Sequence, residues 1–249
     1  MINIKNDYEI EMMKKAGKIV GDTHNYLIPY IKEGITTKEL DSLASEYIIS
    51  RGATPSFKNY NGYPANICIS INEEVVHGIP DKRKLKDGDI VSIDIGACYE
   101  GYHGDSAWSY PVGNITKKQS QLLKHTEEAL FEGLKVLKEG AYVKDISEAI
   151  ERHAKKHNLG IVRELVGHGI GSSIHEEPDV PNYVSKKYDS IILKAGMVIA
   201  VEPMLNAGTA NVYVLDDKWT VVTADGGSSA HFEHTVLVTK EGFLILTER

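Results

Sequence analysis

The chain is short of cysteine, short of basic charge and without a long apolar run, and each shortage removes a class of protein. Its 249 residues hold two cysteines, Cys68 and Cys98. Two cannot make a disulfide framework, and neither sits in the Cys-x-x-Cys pattern of a zinc knuckle. A reducing cytoplasm is the expected location. Lysine and arginine number 28 against 35 acidic residues, a formal net charge of −7, and the pI is near 5.8. That balance gives no electrostatic reason to expect a nucleic-acid substrate. No apolar run approaches the roughly 20 residues of a membrane span, and charges arrive too early in Met1-Ile-Asn-Ile-Lys-Asn-Asp for a signal peptide, so no membrane partner is expected. The length suits one large domain or two fused halves sharing a core.

What the chain does contain is organised around Leu85 to Asp105. Ile90 to Ile95 alternates at period two, with Val91, Ile93 and Ile95 on one face and Ser92 and Asp94 on the other. Tyr99-Glu-Gly-Tyr102 supplies the glycine of a hairpin turn, and an antiparallel return brings Asp105 beside Asp94. Two ionised carboxylates on an apolar scaffold repel and are costly to desolvate. Either one holds a proton or a cation sits between them.

The form of Leu85-Lys-Asp-Gly-Asp-Ile-Val-Ser-Ile-Asp94 recurs as Leu193-Lys-Ala-Gly-Met-Val-Ile-Ala-Val-Glu202, displaced by 108 residues. Ile31-Lys-Glu-Gly recurs as Leu137-Lys-Glu-Gly, displaced by 106. Two matches at nearly one offset predict an internal duplication, with halves at about 1–112 and 113–249 forming a single catalytic domain. A helix is expected over Asp7 to Ile31 and a second from Thr36, whose Thr-Thr-Lys-Glu is a capping-box pattern, to near Gly52. Residues 116–138 and 144–158 are the corresponding pair. The loop from Pro55 to Pro64 carries Tyr60 and Tyr63. Asn66 to Asn72 alternates as a strand leading to His77, a candidate because it stands against glycine just before the carboxylate hairpin. His168 is flanked by glycines, His175 follows, and Ala230 to Val238 reads as a last strand carrying Glu233 inward. Asp94, Asp105, Glu202, Glu233 and His168 together suit two bridged divalent cations.

These residues, in this order, resemble the methionine aminopeptidases, specifically the short bacterial type I enzymes. The matching motifs are Asn-Glu-Glu-Val-Val-His77-Gly-Ile-Pro, Asp94 with Asp105 eleven residues on, Gly-His168-Gly-Ile-Gly, His175-Glu-Glu-Pro, Glu202-Pro-Met and Phe-Glu233-His-Thr. The resemblance spans essentially the whole chain. It implies the α/β pita-bread fold, two pseudo-symmetric halves sharing antiparallel sheet with helices outside. It also implies Asp94, Asp105, His168, Glu202 and Glu233 as metal ligands, with Asp105 and Glu233 bridging. His77 and His175 would contact substrate without binding metal, Tyr60, Tyr63, Cys68 and Trp219 would form the methionine pocket, and Ile174 its wall. Ile174 stands where members of the family often carry an aromatic residue, and Ser172 where arginine is common. The implied activity is metal-assisted hydrolysis of the N-terminal methionine from nascent chains with a small second residue, with Glu202 shuttling the proton. Two ions of cobalt, manganese, iron or zinc, a transient ribosome contact and a monomeric state complete the expectation.

Overall fold

Asn6 starts the first helix, α1 (Asp7–Leu27), by accepting hydrogen bonds from the Tyr8 and Glu9 amides while Glu9 accepts from the Asn6 amide. The structure, a computed structural model, describes residues 2–249. Helix α1 stops four residues before the expected end because Pro29 opens a 3-10 turn, Ile28–Tyr30. The capping box read at Thr36 forms, the Thr36 hydroxyl accepting from the Glu39 amide and the Glu39 carboxylate from the Thr36 amide, and it begins α2 (Thr37–Ser50). The second pair is α3 (Lys117–Leu134) and α4 (Val143–Lys156). No helix among the described residues is long and apolar enough to cross a membrane.

The carboxylate hairpin pairs strand Ile90–Tyr99 with strand Tyr102–Pro111 through ten antiparallel residue pairs. Its turn residues, Glu100 and Gly101, both take positive φ, 49° and 83°, the conformation a two-residue hairpin loop demands. On its other edge, Ile90–Tyr99 pairs with Cys68–Ile71 and Thr54–Pro55. Val91, Ile93 and Ile95 are fully buried against Val20, Leu40, Ala44 and Ile48 of α1 and α2, each burial being worth about 1.5–3 kcal/mol. The opposite face, with Asp94, is thereby turned away from the helices. In the second half, a five-stranded sheet runs in the order Phe243–Ile245, His234–Val238, Val198–Val201, Gly167–Gly169, Glu176–Val180, and α3 and α4 share its apolar cluster.

Equivalent contacts recur at the offsets seen in the sequence. The Gly34 amide donates to Leu85 O and the Gly140 amide to Leu193 O, both at 2.9 Å; Leu85 N returns to Ile35 O as Leu193 N does to Ala141 O. Isolated bridges join Thr36 to Lys84 and Tyr142 to Ile192. One small sheet also crosses between the two stretches, since Glu74–Val76 pairs with Val221–Thr223.

The expected last strand from Ala230 to Val238 is two strands in different sheets. Ser229–His231 pairs with Met204–Asn206, whereas His234–Val238 pairs with Val198–Val201. The partner strand breaks at the same level, at Glu202 and Pro203. Proline has no amide to continue a ladder, and the Phe232 amide donates to Pro203 O instead while Glu233 N donates to Ala107 O. Both acids of this double break face one cavity.

Candidate active site

That cavity has a volume of about 230 Å³ and lies between the carboxylate hairpin and the second-half strands. Asp94 and Asp105 reach it from the hairpin as diagonal neighbours, because Asp94 is opposite Ala107 and Asp105 opposite Gly96. Glu202 comes from just past Val198–Val201, Glu233 from the break before His234–Val238, and His168 from the middle of Gly167–Gly169. Asp105, His168 and Glu233 each place a ligand atom within 4.8 Å of the other two.

Burial raises all four acids above the ordinary carboxylate range. Burial pushes the Asp94 carboxyl up to about 6, against the pull of His231 and helped by Glu202, and pushes Glu202 up to about 8. Burial, then the neighbouring acids, raises Asp105 and Glu233 well above the carboxylate range. Hydrogen bonding does not relieve them: Asp94 Oδ1, Asp105 Oδ1 and Glu233 Oε1 are sealed from solvent without a partner. Buried polar atoms are nearly always satisfied, and three orphaned carboxylate oxygens converging on one cavity are the donor set of a hard or borderline divalent cation.

The histidines divide by what holds them. His168 donates its Nδ1 proton to Gly169 O at 2.8 Å, leaving Nε2 as a lone pair 3.5 Å from Glu202 Oε1. Burial, then His175, lowers it to about 3, so the ring is neutral. His175 lies edge-on to His168, ring centroids 4.2 Å apart, with Nδ1 2.9 Å from the Tyr60 hydroxyl. His77 has a positive φ of 60°, uncommon for a residue with a side chain and a mark of a site that fixes its backbone. Burial, then the His231 and His175 imidazoles, holds His77 near 4.

The remaining wall is aromatic. Tyr63 donates to Gly78 O at 2.8 Å and meets Trp219 edge-on at 5.1 Å. Cys68 stands opposite Asp94 in the sheet, and Tyr60 and Phe57 also line the space. Every candidate site residue lines this cavity except Ile174, which is buried in the cluster beneath it with Ile170, Val198 and Leu237; Ser172 is exposed and lies outside it.

One titratable lining residue was not anticipated. His231 is 2% exposed, its Nε2 has no hydrogen-bond partner, and that atom lies 3.5 Å from Glu202 Oε2 and 4.0 Å from Glu233 Oε2. The signal was present, since His231 precedes Glu233 by two residues and period-two alternation puts both on one face.

Comparison with known proteins gives a concordant picture. The sequence profile of metallopeptidase family M24 matches residues 11–240. The chain is 53% identical over 247 residues to methionine aminopeptidase 1 of Bacillus subtilis, covering 99% of both chains. It is 50% identical to the methionine aminopeptidase of Clostridium perfringens, again over 99% of both. Among solved structures, the methionine aminopeptidase of Thermotoga maritima superposes with a TM-score of 0.97 at 42% identity, covering 100% of both chains.

Proposed function

We propose that this chain, which belongs to metallopeptidase family M24 and within it to the methionine aminopeptidases, removes methionine from the N-terminus of nascent proteins and peptides whose second residue is small. The observation that carries the reading is the trio of orphaned carboxylate oxygens in a cavity that also has an aromatic wall. Asp94, Asp105, His168, Glu202 and Glu233 would hold two divalent ions, with Asp105 and Glu233 shared between them. The metal supplies Lewis-acid activation of a carbonyl and of water.

The chain's own groups do the rest. Glu202, raised by burial to about 8 without metal, would be ionised beside a bound cation and then takes the proton of the attacking water and passes it to the leaving amine. A Tyr60 hydroxyl that donates to His175 Nδ1 leaves the His175 Nε2 proton free to donate to the oxygen that gains charge at the scissile carbonyl. His77, neutral and packed edge-on against Trp219 at 6.5 Å, contacts the substrate from the opposite wall. Tyr63, Cys68 and Trp219 enclose the methionine side chain, an apolar, sulfur-tolerant fit. Selectivity for a small second residue would follow from a narrow rim where Tyr60 and His175 meet. The location is the cytoplasm, with the molecule acting as a monomer in transient contact with ribosomes, and the two halves descend from one duplicated unit.

Turnover of Met-Ala-Ser with added manganese, alongside a proline dipeptide and a generic phosphodiester, tests the reading. Cleavage of the tripeptide alone is expected. Preference for either of the others would overturn it.

A further inference from the structure

A second cluster of ligating side chains lies on α3 and α4, sharing no residue with the cavity described above. His125 and Glu128 stand three residues apart on α3, and His153 and His157 four apart at the end of α4, so each pair presents both side chains from one helix face. Across the helix pair, each of the four offers a ligand atom and all four atoms fall within 4.8 Å of one another. His125 Nδ1 is 2.8 Å and His153 Nε2 3.4 Å from the same carboxylate oxygen, Glu128 Oε2. The His125 and His157 rings stack, centroids 3.5 Å apart and planes 14° from parallel. His153 Nε2 is sealed from solvent and makes no hydrogen bond.

We propose that His125, Glu128, His153 and His157 form a zinc site that ties α3 to α4. Three imidazole nitrogens and one carboxylate oxygen are a donor set suited to zinc, whereas the oxygen-rich inner site suits harder ions as well. Ligating imidazoles must be neutral; burial, then the neighbouring imidazoles, sets His157 below the usual range, and burial does the same for His153 although Glu128 opposes it. Lys124, Lys135, Arg152, Lys156 and Glu132 surround the cluster. The basic side chains oppose a cation, but Lys135 is paired with Glu132 at 2.6 Å, and Lys124, 3.9 Å from Glu128 Oε1, is 67% exposed on a stem that can swing outward when the carboxylate takes a metal.

Zinc retained after dialysis of the full chain against buffered zinc decides the matter, measured on wild type, the double variant His153→Ala/His157→Ala and Glu233→Ala. The double variant is expected to keep one zinc fewer per chain than wild type, with unchanged Met-Ala-Ser turnover. Glu233→Ala is expected to keep the outer ion, so failure of the inner-site reading would show in that arm alone. At a hundredfold excess over its Kd, zinc should also raise the Tm of wild type by about 5 °C more than that of the double variant. Equal zinc content in wild type and a folded double variant would overturn the site. If the double variant does not fold, the single His157→Gln change at the helix end serves for the same comparison, and undiminished zinc affinity there would overturn it equally.

Discussion

Glu233 is 2% exposed and one of its oxygens meets no donor, so its removal takes an acid out of the cavity without stranding a partner. Glu233→Ala is therefore expected to keep the fold while losing affinity for at least one metal ion and most activity. Calorimetric titration with manganese checks this, and wild-type stoichiometry and affinity would reject a bridging role. For His175→Ala, kcat should fall on the order of a hundredfold with KM spared, as when a donor to a developing oxyanion is removed, and metal content should hold because His168 is the proposed nitrogen ligand. Loss of a metal ion, or normal turnover, would sink that assignment. Three of the four acids were readable in the sequence because each ends or lies within an alternating aliphatic strand, with Asp94 and Glu202 ending repeated segments, and Asp105 because the hairpin turn returns it beside Asp94. His231 was not read, because a histidine between alanine and phenylalanine looks like core until the acid two residues on is known to face a cavity. Ile174 entered by resemblance alone, and its place under the cavity rather than on it depends on how the turn before Glu176 folds.

At the scale of elements, α1 is held against its neighbours by glycine on both sides. A Cβ on Gly17 would collide with the Leu246 carbonyl, and one on Gly104 would come within 2.7 Å of the Gly17 amide nitrogen. Gly17→Ala should therefore lift α1 from the C-terminal segment, costing about 1–3 kcal/mol. Urea denaturation measures it, and an unchanged midpoint would mean that the contact is slack. Three helices were legible because their N-caps, Asn6, Thr36 and Thr116, are local signals, whereas α4, which Tyr142 begins without a side-chain cap bond, was placed by its correspondence to α2. The divided last strand was not. Alternation is the same whether a strand keeps one partner or exchanges it at Pro203, and the exchange is decided by a proline nearly thirty residues away.

For the whole molecule, the buried acids set a pH dependence. Asp94 and Glu202 titrate at about 6 and about 8 in the fold, above their unfolded values, so the protons they bind stabilise the metal-free protein in acid. That stability is lost as pH rises through this window. The imidazoles of His168, His77 and His231, held at about 3 to 4, act oppositely, and their stability is lost as pH falls below about 6.5. Metal entering at pH 6.5 displaces carboxyl protons and none from His168. Calorimetry in buffers of different ionisation enthalpy should register release of at least one proton at pH 6.5 and less at pH 9, with affinity rising between them. No release at pH 6.5 would contradict the proposed ligand set. The recurring Gly34/Gly140 and Leu85/Leu193 contacts were legible at this scale because glycine turns and strand starts repeat at nearly one spacing, while the cross-strand of Glu74–Val76 with Val221–Thr223 left no periodic trace.

That cross-strand and the distribution of the acids have a consequence for how the protein is made. Asp94 and Asp105 come from the first half of the chain and His168, Glu202 and Glu233 from the second, so translation delivers two mutually repelling acids long before the groups that complete their surroundings. A message cut anywhere upstream of codon 233 yields a polypeptide with an open sheet edge and no assembled centre. Premature stops should thus produce inert fragments, cleared by cellular proteases, and never a shortened hydrolase with relaxed selectivity.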